Sequence, residues 1–131
     1  MLTANDIMTD NVVTIGPNAT VQEAIEIVLQ QKISGLPVVD ANDRLIGIVT
    51  EFALLAIAYD EEVRQEKVLK HMTTELITVS PQDPIRKVAD LCIMHRVRRV
   101  PVIENGRLIG LIARCDVLKG IYEVTKPACA V

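Results

Sequence analysis

Asp6–Val28, DIMTDNVVTIGPNATVQEAIEIV, lies over Lys70–Cys92, KHMTTELITVSPQDPIRKVADLC, when the chain is slid along itself by 64 positions. Met8 meets Met72, Thr14 meets Thr78, Pro17 meets Pro81, and further on Ile33 meets Val97 and Pro37 meets Pro101. One residue is then lost in a turn. At an offset of 63, Arg44–Val49 (RLIGIV) falls on Arg107–Ile112 (RLIGLI). A repeat of this length sets the whole fold, so it precedes any search for motifs. The protein is two copies of one unit.

Each copy has the same local pattern. VVTI and LITV are short β-branched runs, stopped by Pro17 and Pro81. Val21, Ala24, Ile25, Val28 and Leu29 recur at helical spacing, and Ile85, Val88, Ala89, Cys92 and Ile93 copy that stripe. Leu36–Val39 and Val100–Ile103 are continuous apolar strands. Asn105–Gly106 is a strong two-residue hairpin signal. Strands Leu45–Val49 and Leu108–Ile112 then return and run into helices near 51–58 and 114–124.

The pattern predicts an α/β (α+β) fold of two β-α-β-β-α repeats. A three-stranded sheet with helices on one face leaves its other face bare, and so few residues cannot stabilise it alone. The repeats are therefore expected to pack sheet to sheet about a pseudo-twofold axis. The expected boundaries are 1–58 for repeat 1, 59–67 for a charged linker turning helical, 68–124 for repeat 2 and 125–131 for a tail.

Composition excludes several functions. Lys and Arg number 14 against 17 Asp and Glu, for a formal charge of -3. No basic excess exists to draw nucleic acid or an anionic membrane. Phe52, Tyr59 and Tyr122 are the whole aromatic set, too few for a base-stacking platform. No apolar run is long enough to span a bilayer, and MLTANDIMTD lacks a signal-peptide pattern. Cys92, Cys115 and Cys129 form no C-x-x-C pair, and His71 and His95 stand far apart. Neither disulfide nor metal site is expected, and the setting is taken as reducing and cytoplasmic. There is no nucleophile–base pattern and no glycine-rich phosphate loop, so no enzyme is expected.

One cluster stands out against the acidic background. Arg96, Arg98 and Arg99 follow His95 within five residues, directly before an apolar strand. Any anion site in this chain must be local, and this is the place for one.

The repeat resembles a tandem pair of CBS domains, the cystathionine β-synthase type also called a Bateman module. The resemblance rests on DIMT and KHMT, on SGLPVVD and RRVPVIE, and on GIVTEFALL and GLIARCDVL, and it covers nearly the whole chain. It implies a stand-alone regulatory module with clefts between its repeats, often holding adenine nucleotides. It also implies pairing into a homodimer and control of an effector protein that the sequence does not name.

The family's nucleotide signature, G-h-h-[ST]-x-x-D, is broken twice. Repeat 1 keeps Gly47 and Thr50 but has Ala53 for the Asp. Repeat 2 keeps Asp116 but has Ala113 for the hydroxyl residue. A carboxylate that accepts from two ribose hydroxyls is worth more than one neutral hydrogen bond. The resemblance therefore places the stronger site at repeat 2: Asp116 for the ribose, Arg98 and Arg99 for phosphate, with Ala113 and Arg114 at the helix start. It places the adenine against Thr9, Asn11, Val13, Ile33 and Ser34. Thr50, Thr78 and Val97 belong to the weaker second cleft.

The leading expectation is a sensor of AMP, ADP or ATP that needs no resident cofactor. The alternative is a ligand-free dimerisation or interaction module. Each singled-out residue also has a plainer role: Thr50 as a helix cap, Asp116 as a helix-start acid, Arg98 and Arg99 as solvated or paired with Glu104, His95 as a helix-end cation, and His71 as surface. The second helices are expected to expose Leu54, Leu55, Leu118 and Ile121 and to form the dimer contact.

Overall fold

The computed structural model describes residues 1–127; Cys129 and the end of the expected tail lie outside the described residues. In chain order the elements are α1 (Ala4–Ile7), α2 (Val21–Gln31), β1 (Gly35–Val39), β2 (Leu45–Thr50), α3 (Glu51–Ile57), α4 (Glu61–Arg64), a 3-10 turn (Val68–Lys70), α5 (Ile85–His95), β3 (Arg99–Glu104), β4 (Arg107–Ala113) and α6 (Arg114–Thr125). The strands form two antiparallel pairs, β1–β2 and β3–β4.

The runs expected as third strands shrink to one residue each. Ile15 donates to Pro37 O at 3.0 Å and accepts from Val39 N at 3.0 Å. Val79 does the same between Pro101 O at 3.0 Å and Ile103 N at 2.8 Å. A parallel ladder could extend only through the N–H groups of Pro37 and Pro17, or of Pro101 and Pro81. Proline has none, so each run stops at a single bridge.

Local chemistry accounts for the helix ends. The Thr20 hydroxyl accepts from Glu23 N at 3.1 Å, and Glu23 Oε2 accepts from Thr20 N at 3.2 Å. That reciprocal pair starts α2. Lys32 (φ 55) and Arg96 (φ 52) end α2 and α5 in the left-handed conformation. Asn105 (φ 54) and Gly106 (φ 79) make the hairpin that their sequence predicts. In the other hairpin Asp40 Oδ1 takes the amides of Asn42 at 2.8 Å and Arg44 at 3.0 Å.

The chain divides into two compact units that do not follow the linear order of the repeats. Unit 1 is Met1–Val12 with Ile77–Asn105 and Ile109 onward; unit 2 is Val13–Leu76 with Gly106–Leu108. In unit 1 the fully buried Ala4 joins Val88, Val100, Val102, Ile112 and Val117 in one core. Its lead-in is pinned by backbone bonds from Ala4 N to Asp83 O (2.8 Å) and Asn5 N to Pro81 O (2.9 Å). In unit 2, Val68 joins Val21, Leu36, Val38, Val49 and Leu54. There Val68 N donates to Ala19 O at 2.8 Å and Thr73 pairs with Ile48.

The two lead-ins seat matching side chains. A Cβ added at Gly110 would come within 2.9 Å of Met8 Cγ, and one at Gly47 within 2.8 Å of Met72 Cγ. Each glycine leaves room for one methionine.

Five residues differ in exposure from expectation. Leu29 and Ile93 stand exposed, not buried with their stripes. At about 100° per residue, each lies roughly 80° round from the first residue of its stripe, at the edge. Leu54 is only 4% exposed, because it faces inward from α3. Ile121 is partly buried against the core of unit 1. His71 is half-buried rather than fully on the surface, with its Nε2 covered and 3.4 Å from Glu66 Oε1.

Candidate functional site

Unit 1 gathers Thr9, Asn11, Thr78, Val97, Arg98, Arg99, Ala113, Arg114 and Asp116; Val13, Ile33, Ser34 and Thr50 belong to unit 2. The sites are described unit by unit.

In unit 1 the basic stretch and the start of α6 are tied together through the backbone. Arg114 N donates to Arg98 O at 2.9 Å. This bond holds the residue before β3 beside the junction where β4 becomes α6. Arg98 is exposed and Arg99 half-buried as it enters β3. The lead-in reaches the same junction, since Thr9 and Leu111 exchange both backbone bonds at 2.9 Å, two residues before Ala113. Exposed Thr9 and Asn11 therefore stand on the segment that pairs with the end of β4.

At the helix start, Ala113 takes the N-cap place and offers no side-chain acceptor. The half-buried Asp116 partly compensates, with Oδ2 accepting from Ala113 N over a long 3.4 Å. A carboxylate held so weakly keeps accepting capacity for hydroxyl donors. The neighbouring Arg98, Arg99 and Arg114 supply positive charge, and the opening turn of α6 adds amide donors that favour an anion. Arg114 also acts on Cys92, whose thiol is pushed up by burial and drawn partly back by that charge. A buried thiol with a raised value is a packing residue rather than a nucleophile.

Unit 2 repeats the backbone scaffold with different chemistry. Glu51 N donates to Ser34 O at 2.9 Å, matching the Arg114–Arg98 bond. Here Thr50 does serve as the cap, accepting from Ala53 N at 3.1 Å. Ala53 puts no carboxylate there, and Ser34 and Gly35 bring no cation. Val13 and Ile33 pack partly buried against the unit 2 core. In unit 1, Val97 packs against its core, and Thr78 precedes the Val79 bridge.

Among the described residues, no group of three or more His, Cys, Asp and Glu could hold a metal ion. No helix among them is long and apolar enough to cross a membrane.

The CBS-domain family model matches residues 4–60 and again 65–123. The CBS domain-containing protein YhcV of Bacillus subtilis is 32% identical over 118 residues, covering 88% of this chain and 83% of that protein. Inosine-5'-monophosphate dehydrogenase of Methanocaldococcus jannaschii is 36% identical over 117 residues, 88% of this chain but 23% of the enzyme. The chain likewise spans 41% of protein MJ1225 from the same organism. It thus covers less than two thirds of several curated relatives.

Among solved structures, CBSX2 in complex with AMP aligns with a TM-score of 0.87 at 29% identity, over 96% of this chain and 100% of that one. CBSX2 comes from Arabidopsis thaliana. Protein MJ1004 of Methanocaldococcus jannaschii aligns with a TM-score of 0.85 at 32% identity, over 93% of this chain and 60% of that one.

Proposed function

This chain belongs to the CBS-domain family, whose domain it carries twice, and on that premise we propose that it is a regulatory module sensing an adenine nucleotide. Asp116 takes the ribose hydroxyls; Arg98 and Arg99 take phosphate, with Arg114 beside them. AMP, ADP and ATP are the candidate ligands, and no resident cofactor is needed.

The carrying observation is the 2.9 Å bond from Arg114 N to Arg98 O. It ties the backbone of the basic stretch to the first residue of α6, two residues before Asp116, and so supports reading a cation and a carboxylate as parts of one site. Likeness to CBSX2, solved with AMP, supports the same reading. The plain start of α3 supports a single strong site per chain. The nucleotide would act by population shift, through unequal affinity for two arrangements of the chain, and the responding partner is proposed to be an effector protein. Homodimerisation through the exposed sides of α3 and α6 is part of the proposal.

Calorimetric titration with AMP, ADP, ATP and adenosine tests it. One site per chain, tighter for a phosphorylated ligand than for adenosine, is the expected result. Heat from none of them would leave the alternative, a ligand-free interaction module. The Ala53 start of α3 and the exposed apolar residues on both helices favour that second reading.

A further inference from the structure

Asn5, Asn11, Asn18, Asn42 and Asn105 all stand exposed, so access to water does not set them apart. The backbone nitrogen that follows each of them does. Asp6 N donates to Thr3 O at 3.0 Å, Ala19 N to Gly16 O at 3.3 Å, and Asp43 N to Asp40 O at 3.1 Å. After Asn11 comes Val12, whose β-branched side chain crowds its own nitrogen. After Asn105 comes Gly106, which has no side chain and whose N–H makes no hydrogen bond among the described residues. A nitrogen neither engaged nor shielded is open to reaction with the side-chain amide carbon beside it.

We infer that Asn105 is a site of spontaneous covalent modification. Gly106 N gives up its proton and attacks Cγ of Asn105. The new C–N bond closes a cyclic imide, the bond from Cγ to Nδ2 breaks, and ammonia leaves with the proton. Water then opens the ring. Breaking the bond from Gly106 N to Cγ gives aspartate. Breaking the bond from Gly106 N to the main-chain carbonyl carbon of Asn105 gives isoaspartate, with the chain running through Cγ. Either product exchanges an amide for a carboxylate, and water is the sole co-reactant.

The two products differ in what they do to unit 2. There Gly106–Leu108 pairs with Asp43–Leu45: Gly106 O accepts from Leu45 N at 3.4 Å, and Leu108 N donates to Asp43 O at 3.0 Å. Between those bonds Arg44 stands opposite Arg107. The Arg44 guanidinium lies against Gly106, since a Cβ built there would be 3.4 Å from its Cζ. Like charges directly opposite cost stability, and a carboxylate one residue from Gly106 offsets part of that cost. Aspartate keeps the main chain as it is and tolerates the left-handed φ of 54 at this position. Isoaspartate adds a methylene to the main chain immediately before Gly106. The turn then no longer delivers Gly106–Leu108 in register with Asp43–Leu45.

Incubation of the whole chain at body temperature and mildly alkaline pH tests this, read by peptide mass mapping and enzymatic methylation of isoaspartate. Asn105 should convert several-fold faster than any other asparagine, with isoaspartate among the products. No conversion at Asn105, under conditions where a synthetic peptide of residues 101–110 converts, would mean that the folded turn protects it and overturns the inference. Faster conversion at Asn11 or Asn42 overturns it as well, because a crowded or engaged nitrogen would then be no barrier. The isoaspartate form, separated from the aged chain, should unfold at lower urea than Asn105→Asp, which should match or exceed the unaltered protein. Equal urea midpoints for isoaspartate and Asn105→Asp would remove the loss of register.

Discussion

Arg114 donates its backbone amide to the carbonyl of Arg98 at 2.9 Å, as Glu51 does to Ser34 in the other unit. The backbone bond is the same in both units, and the side chains around it differ. A ligand that uses those side chains should fail in separable ways when they are removed.

Arg99→Ala should lower AMP affinity about ten- to a hundredfold, the loss of a charge-assisted contact of roughly 1.5–3 kcal/mol. Adenosine, which has no phosphate, should bind almost unchanged. Asp116→Ala should weaken both ligands alike, at little cost to folding because its bond to Ala113 N is long, 3.4 Å. Titrations of both variants check this, and equal losses of AMP and adenosine in Arg99→Ala would remove the phosphate assignment.

Salt should separate the ligands in the unaltered protein. A half-exposed arginine site is screened as ionic strength rises, so AMP affinity should fall while adenosine affinity stays flat. Parallel salt slopes would place no charged contact at the phosphate.

The methionine seats should govern stability. Gly110→Ala and Gly47→Ala force a methyl group against Met8 and Met72, an overpacking that costs about 1–3 kcal/mol. Gly35→Ala meets only Ile48 Cγ2 at an ordinary 3.8 Å and should change stability by less than about 0.5 kcal/mol. Urea unfolding of the three variants gives the ordering, and a Gly35→Ala loss as large as the others would contradict it.

Glu66 should impose an acid limit on unit 2. Its carboxyl is held below the ordinary value of 4.5, chiefly by the hydrogen bond from Lys70, against some burial, with further help from the Lys70 charge and from His71. A depressed carboxylate contributes stability that is present above its unfolded value and lost as pH falls through its folded one. The protein should therefore exceed Glu66→Gln in urea midpoint near pH 5.5, with the gap closing below pH 4.5. A gap unchanged at pH 3 would mean that the glutamine disturbs packing instead.

Much of the architecture is visible in the sequence because it is local. The stripe from Val21 to Val28, the Thr20–Glu23 cap and the Asn105–Gly106 turn depend on neighbours a few residues away. The broken signatures likewise fix which helix start carries a carboxylate. Helix α1 is too short to show a period, although Thr3 and Asp6 mark it: the Asp6 carboxylate accepts from Thr3 N at 2.8 Å and from the Thr3 hydroxyl at 3.0 Å. The docking of Met8 on Gly110 joins residues far apart in the chain, and no local pattern encodes it. Its one signal is that methionine and glycine both recur in the repeat. Leu29 and Leu54 show the same limit, since a stripe gives a helix face but not how far round the neighbours cover it.

The interleaving of the units carries a consequence for the newborn chain. Unit 2 is nearly all Val13–Leu76, whereas unit 1 needs Met1–Val12 together with Ile77–Asn105 and the stretch from Ile109. Synthesis runs from the N-terminus and folding proceeds as segments become complete. The middle of the protein can therefore settle while the first twelve residues still lack the surface that receives them. Met1–Val12 precede in the chain the partners they pack against, so the burial of Ala4 waits until Val88 and Val117 have been made.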